Sequence, residues 1–263
     1  MGEKDYMKNI NLVIDIGNTN TVLGFYINTE FQYSLRVTSD SKRTIDEYYK
    51  IIKKTTYENK LNISHINKVA LSSVVPALSQ IFSQLIHKYI KCNFEIVNAY
   101  SDLGLKFPMP DPGFIGSDLV VNAFAAIDKY KTNCIICDFG TATTIQLVGK
   151  DGNFFGTVIA PGVITSAKNL FDSTALLSNV RLIKPEHLLG TNTTDSLLSG
   201  IITGNFFMLE GFVKTIKKRY EHLGEIKTIA TGGIAELICN ESKEIDIIDK
   251  NLTLDGLNLI CCK

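Results

Sequence analysis

Two short segments of this chain carry the residue types that hold phosphate. Asp15-Ile-Gly-Asn-Thr-Asn-Thr21 closes the apolar run Leu12, Val13, Ile14, and Asp138-Phe-Gly-Thr-Ala-Thr-Thr144 closes Ile135 and Ile136. Aligned on their aspartates, both read apolar strand, Asp, apolar residue, Gly, small hydroxyl or amide residues, then Thr. Glycine lets a phosphate approach the backbone, turn N–H groups and Asn or Thr side chains donate to it, and Asp can hold a cation. The first candidate set is Asp15, Gly17, Asn18 and Thr19; the second is Asp138, Gly140, Thr141 and Thr143. Asp15 suits Mg²⁺, directly or through water, because that ion takes one or two carboxylates and completes its shell with phosphate oxygens. Either segment alone reads as well as a hairpin turn, where Gly, Asn, Asp and Thr abound. In matching register after matching strands, the pair points to a nucleotide faced by two similar half-molecules.

Other residues could join that chemistry. Thr231-Gly-Gly233 follows a strand and would let a flat base or ribose lie on bare backbone, although a plain strand-to-helix turn accounts for it equally. Asp118 stands near a predicted helix start, as a base that orients or deprotonates an acceptor hydroxyl or as a simple helix cap. The helix N-terminus should lower its pKa, which phosphoryl transfer tolerates because its loose transition state needs positioning more than early deprotonation. Cys134 and Cys137 form a C-x-x-C inside an apolar strand, so their side chains should point to opposite faces as core thiols. His65, His87, His187 and His222 sit apart. Neither a Walker G-x-x-x-x-G-K-[ST], a Rossmann G-x-G-x-x-G nor a G-x-S-x-G elbow occurs.

The elements that must position these groups follow from periodicity. Strands are expected at Asn11–Asp15, Thr21–Tyr26, Phe31–Thr38 and Lys68–Ser72. A helix over Thr44–Thr55 opens on Thr44 with Glu47 three residues on, a capping-box pattern. Leu78, Ile81, Phe82, Leu85, Ile86, Tyr89 and Ile90 share one helical face, as do Val120, Val121, Phe124, Ile127 and Tyr130. Between them, Leu105–Gly116 holds three of the six prolines and reads as a loop or a boundary between halves. Strands recur at Thr144–Val148, Gly156–Ala160 and Lys227–Thr231, with a helix from Ala235 to Cys239. A long apolar helix over Thr193–Tyr220 carries Gly200, Gly204 and Gly211, implying close helix–helix approach, across a dimer for instance, or a break.

Bulk properties narrow the function classes. The chain has 263 residues, 45% hydrophobic, with Lys+Arg and Asp+Glu balanced at 27 each, enough for a packed core and without a global field for nucleic acid or membrane. The polar, charged N-terminus lacks the apolar stretch of a signal peptide, and no run approaches membrane-spanning length, so a cytoplasmic location is expected. Six cysteines in so long a chain make no disulfide framework.

The motifs together resemble the type III pantothenate kinases of the actin/hexokinase/Hsp70-like ATPase superfamily. The likeness runs through Asp15–Thr19, Ser72-Ser-Val-Val-Pro76, Gly116-Ser-Asp118 with Asn122-Ala123, Asp138–Ala142, Ala160-Pro-Gly162, Gly190-Thr-Asn-Thr193, Ser199-Gly200, Ala230–Gly233 and Leu252-Thr-Leu254 with Gly256-Leu257. It implies an α/β fold of two ribonuclease-H-like (actin-like ATPase) lobes, residues 1–116 and 117–263, with mixed sheets flanked by helices and ATP between them. It implies a homodimer whose substrate pocket the partner completes, and transfer of the γ-phosphate of ATP to pantothenate, the first step towards coenzyme A, with Mg²⁺ and a monovalent cation, K⁺ or NH₄⁺. Asp15, Gly17, Asn18 and Thr19 match its first phosphate motif. Asp138, Gly140, Thr141 and Ala142 match the second, Asp138 also lying near the monovalent cation. Gly232 and Gly233 match the adenosine motif, Asp118 the catalytic base, Gly116 the substrate loop and Thr193 the partner-chain contact. The departures lie together: Leu119 replaces an Arg, Met109 a Tyr and Phe114 a Glu, all on the pantothenate side. A kinase for a less acidic hydroxyl compound, or a nucleotide-binding paralogue with a regulatory role, is the alternative they raise.

Overall fold

The computed structural model describes residues 9–172 and 181–263; the charged segment 1–8 lies outside them. The apolar run Ile10–Ile16 forms β1, buried throughout except at half-buried Asp15. It turns back antiparallel into β2 (Asn20–Ile27), which pairs antiparallel with β3 (Glu30–Thr38). The capping box then starts α1 (Ile45–Glu58): the Glu47 N–H donates to Thr44 Oγ1, and the Thr44 N–H donates to the Glu47 carboxylate at 2.7 Å. Next come β4 (Ile66–Ser73), parallel to β1; α2 (Pro76–Leu85), extended by a π turn at Ile86–Ile90; and β5 (Asn93–Val97), parallel to β4. The sheet order is β3-β2-β1-β4-β5. Tyr48 and Ile52 of α1 and Leu78, Phe82 and Leu85 of α2 bury their stripes against Leu12, Ile14 and Leu71. The helix α3 (Ser117–Tyr130) follows the proline-rich loop.

The pattern then repeats. β6 (Asn133–Phe139) is buried throughout except at half-buried Asp138, the same sixth position that Asp15 holds in β1. β7 (Ala142–Val148) and β8 (Phe154–Pro161) pair antiparallel beside it, and α4 (Val163–Asp172) follows. After α5 (Thr193–Leu198) and α6 (Gly204–Arg219) come β9 (Ile226–Gly232), parallel to β6, then α7 (Ala235–Cys239) and β10 (Ile247–Ile248), parallel to β9. This order, β10-β9-β6-β7-β8, is the first sheet's order over again: three antiparallel strands and two added in parallel.

Packing divides the chain into two units, but not by a single cut after Gly116. One unit comprises the residues to Leu103, Met109–Ala125 and Thr253–Lys263; the other comprises Gly104–Pro108 and Ala126–Leu252. The C-terminal helix α8 (Leu252–Cys262) returns almost whole to the first unit because its polar residues find partners there. Buried Asn11 donates to Asn258 at 2.9 Å and Tyr26 donates to Asp255 at 2.7 Å. Gly256 lets α8 lie close on α3, since a Cβ there would stand 2.7 Å from that of Ala125.

The long helix expected over Thr193–Tyr220 runs through a π turn at Ser199–Thr203 without ending, and a Cβ added at Gly200, Gly204 or Gly211 would meet nothing within 4 Å. Among the described residues those glycines therefore mark no close helix contact. Within the 27-residue stretch Thr193–Arg219, an 18-residue window with mean hydropathy 1.4 is apolar enough to cross a membrane, a test that core helices also pass. This overturns the expectation that no run reaches that length, which weighed unbroken apolarity and gave too little weight to helix continuity across Asp195, Asn205 and Glu210. A third of its apolar window is buried, with Ile201, Ile202, Leu209 and Val213 in the second unit's core.

Candidate functional site

In the first unit the turn after β1 is closed by the Gly17 N–H donating to Asn20 O at 3.0 Å, and its tip residues Asn18 and Thr19 are exposed. A residue that sequence reasoning missed braces it. The Ser39 hydroxyl donates to Gly17 O at 2.6 Å and lies 2.9 Å from Thr21 Oγ1, while the Ser39 N–H donates to Thr19 O at 3.0 Å. The signal was weak, because a serine one residue beyond a predicted strand is an ordinary loop residue.

Asp118 is brought to the same end of the same sheet. Ser117 Oγ accepts from the Ser73 N–H at 2.8 Å and from the Ser72 hydroxyl at 3.0 Å. Ser72 is the register partner of Asp15, and the Val74 N–H donates to Ile16 O at 3.0 Å. The α3 start is thus fastened to the carboxyl ends of the parallel strands β1 and β4, where open α/β sheets bind ligands. Asp118 is not the cap. Its Oδ1 accepts from the next residue's N–H, Leu119, at 2.9 Å, whereas a cap accepts from two or three residues on; Gly116 instead supplies the carbonyl that takes the Val120 N–H. Gly116 also makes room, since a Cβ there would stand 2.4 Å from Asp118 Oδ1. Burial pushes the Asp118 pKa above its ordinary value, against the opposing pull of the Leu119 N–H. The lowering expected from the helix terminus is therefore outweighed by loss of water.

In the second unit the turn after β6 closes one residue sooner, the Gly140 N–H donating to Ala142 O at 3.1 Å, and Gly140 and Thr141 are exposed. Thr143 is not at its surface; it is buried on the strand face it shares with the core residue Ile145. Around this turn the chain keeps side chains away. Asp138 pairs in register with Thr231 and Phe139 with Gly232, where φ is +95° and a Cβ would meet Phe139 O at 2.6 Å and Asp138 Oδ1 at 2.7 Å. Gly162, before α4, sits against Thr141 O and Gly140 O, at 2.2 and 2.6 Å from an added Cβ. The Thr165 hydroxyl donates to Thr141 O at 2.9 Å. Gly233 is exposed and meets nothing within 4 Å, so packing within the protein does not account for its missing side chain.

The residues that set this chain apart are placed unevenly. Leu119 is 6% exposed and Phe114 77% exposed, with Met109 half-buried. The loop between Met109 and Gly116 is held by Asp111, whose carboxylate accepts from the Tyr100 hydroxyl and from the Gly113 N–H. Thr193 is exposed in the first turn of α5, behind the Asn192 cap. Cys134 and Cys137 are core thiols on opposite faces: Cys134 Sγ faces Ala126 O, and Cys137 lies in the core with Cys239. Among the described residues no three His, Cys, Asp or Glu groups gather to hold a metal. One half-buried carboxylate at each turn fits a cation completed by phosphate oxygens and water better than a protein cage.

Comparison with known proteins adds sequence and fold. A model of the type III pantothenate kinase family matches residues 11–215. A type III pantothenate kinase of Halalkalibacterium halodurans is 40% identical over 249 residues, 95% of this chain and 97% of that protein. Among solved structures, one described as a Baf family transcriptional activator from Campylobacter jejuni matches with a TM-score of 0.56 at 19% identity, over 95% of this chain and 96% of the other. Another, described as an N-acetylglucosamine kinase from Porphyromonas gingivalis, gives 0.50 at 13% identity, over 94% and 97%. At such identities these two bear on fold alone, and the fold is the α/β architecture of the actin-like and sugar-kinase ATPases, with two mixed five-stranded sheets flanked by helices.

Proposed function

The chain belongs to the type III pantothenate kinase family, and from that premise we propose that it transfers the γ-phosphate of ATP to the primary hydroxyl of pantothenate, the first step towards coenzyme A. The observation that carries the reading is the repeated Asp–Gly turn, at the same strand position in two sheets of the same order, with Asp118 fastened to the end of the first. Backbone N–H groups at each turn are suited to phosphate oxygens. Asp15 would hold Mg²⁺ and Asp138 the monovalent cation, K⁺ or NH₄⁺, and bound there they would supply positive charge to the phosphoryl oxygens. Gly232 and Gly233 offer bare backbone to the nucleoside. Asp118 accepts the acceptor hydroxyl's proton, and its burial, by raising its pKa, makes it a stronger base than a solvated aspartate. Thr193, exposed on α5, is the residue a second copy of the chain would lend to the acceptor in a homodimer.

The test is a coupled ADP-release assay with pantothenate, Mg²⁺ and K⁺. Turnover that needs pantothenate is expected. ATP binding without turnover on any hydroxyl acceptor would refute the enzymatic reading in favour of the nucleotide-binding paralogue. A second reading, a kinase for a less acidic hydroxyl compound, rests on Leu119, which is buried and offers no charge where the family places Arg. Turnover with uncharged pantothenate analogues but not with pantothenate would select it.

A further inference from the structure

The loop from β3 to α1 holds a cation that the account above does not use. β3 ends beside the first phosphate turn, with Thr38 paired to Asn20, and Ser39 ties the next residue to Gly17 and Thr19 as described. The tethering continues along the loop. The Tyr48 hydroxyl accepts from the Asp40 N–H at 3.1 Å and donates to Asp40 O at 3.0 Å, and the Arg43 N–H donates to that same carbonyl at 3.2 Å. The Arg43 guanidinium lies over the Tyr48 ring, with Cζ 5.0 Å from its centroid. Its Nη1 is buried and has no hydrogen-bond partner. The carboxylates nearest in sequence are engaged elsewhere: Asp40 accepts from the Lys42 N–H at 2.9 Å, Asp46 from Lys88 and the Tyr89 hydroxyl at 3.1 and 2.6 Å, and Glu47 from the Thr44 N–H and hydroxyl at 2.7 and 2.8 Å. Leaving a buried donor of a permanent cation unsatisfied is costly, so a rigidly placed one marks the place of an acceptor.

We propose that Arg43 is a phosphate-binding residue, its Nη1 donating to the terminal phosphoryl group of the nucleotide held at the first turn. The assignment rests on the kinase reading. A planar guanidinium stacked on an aromatic ring is pre-organised for phosphate oxygens, and the loop that carries it is tied through Ser39 to the β1 turn, which favours the nucleotide over the acceptor.

The experiment is calorimetric titration of the whole protein and of Arg43→Gln with Mg·ATP and Mg·ADP, with KM measured for both substrates. The expected result is a roughly 10- to 100-fold loss of ATP affinity with ADP affinity held within about twofold, the size of one lost charge-assisted bond. Arg43→Lys, which keeps the charge but not the fork, should fall between, and it serves as the reading should the Gln variant not fold. Equal losses for ATP and ADP, no loss for either, or a shift confined to the acceptor KM would overturn the assignment. Wild-type protein that binds neither nucleotide would sink the kinase reading itself, a separate outcome.

Discussion

Adjacent glycines at the end of β9 should behave oppositely when each gains one methyl group. At Gly232 the backbone has φ +95°, and the new Cβ would stand 2.6 Å from Phe139 O and 2.7 Å from both Phe139 C and Asp138 Oδ1. Two of those atoms are backbone of the neighbouring strand, which cannot swing aside as a flexible side chain would. An L residue in that region costs about 1–3 kcal/mol, and forcing the strands apart adds roughly 1–3 kcal/mol. Gly232→Ala should therefore lose roughly 2–6 kcal/mol, a fall in Tm of about 5–20 °C for a chain of this size. At Gly233 nothing lies within 4 Å, so Gly233→Ala should stay within about 0.5 kcal/mol of wild type in folding. Its effect should appear with ligand, because a methyl group between a nucleoside and the backbone costs about 1–3 kcal/mol, a roughly 10- to 100-fold weaker Kd. Thermal denaturation of both variants with and without Mg·ATP, followed by titration, separates the two roles. An unchanged Tm for Gly232→Ala would refute the packing argument; wild-type ATP affinity in Gly233→Ala would refute the seating of the nucleoside there.

Asp118→Asn should lower kcat by about 10²–10⁴ while leaving ATP affinity unchanged. The same variant should be more stable than wild type at pH 7. Burial raises this carboxyl's pKa, so its stabilising contribution is present below the ordinary value of 3.8 and is lost as pH rises through the raised one; equal urea midpoints at pH 7 would contradict this. Leu119→Arg should destabilise by roughly 3–5 kcal/mol, because it places an uncompensated charge at a buried site; an unchanged urea midpoint would show that the side chain is not packed. For the thiols, burial pushes Cys134, Cys239 and Cys261 up to about 12, so in native protein they should resist iodoacetamide while exposed Cys262 is alkylated. Mass spectrometry after a brief exposure reads the difference, and native labelling of Cys134 would overturn it.

What could be read from the residues was what is local. The Asp–Gly turns were legible because both the apolar run and the residues that end it lie within a dozen positions, and the Thr44–Glu47 capping box for the same reason. The third strand and the helix starting at Ala235 follow from periodicity alone. The strand β5 was not legible, since Asn93–Val97 alternates too little to stand out, and α8 went unread as an element although its residues were noticed. Its return to the first unit depends on pairs such as Asn11 with Asn258, 247 positions apart. The Asp118 pKa was misjudged for the same cause: the helix terminus is written in the sequence, whereas desolvation is supplied by distant residues. Ser39 was missed, and Gly162 was noticed only as part of a motif, because each packs on or bonds to a turn outside its own segment.

The two turns share their Asp–Gly start, the second closing one residue sooner, and their surroundings differ. Near the first, the chain supplies hydroxyls, a half-buried carboxylate and a stacked guanidinium: Ser39, Ser72, Ser117, Asp118 and Arg43. Near the second it removes side chains, with Gly162 against the turn carbonyls, Gly232 against Asp138 and Gly233 bare. Groups that can hold a proton or a charge belong where a hydroxyl is to be phosphorylated; bare backbone belongs where a flat, uncharged nucleoside is to lie. The duplicated fold thus keeps an Asp–Gly turn in both copies and changes what surrounds it. The departures at Met109, Phe114 and Leu119 fall in the first unit, in the loop and helix start that carry Asp118, and in neither turn.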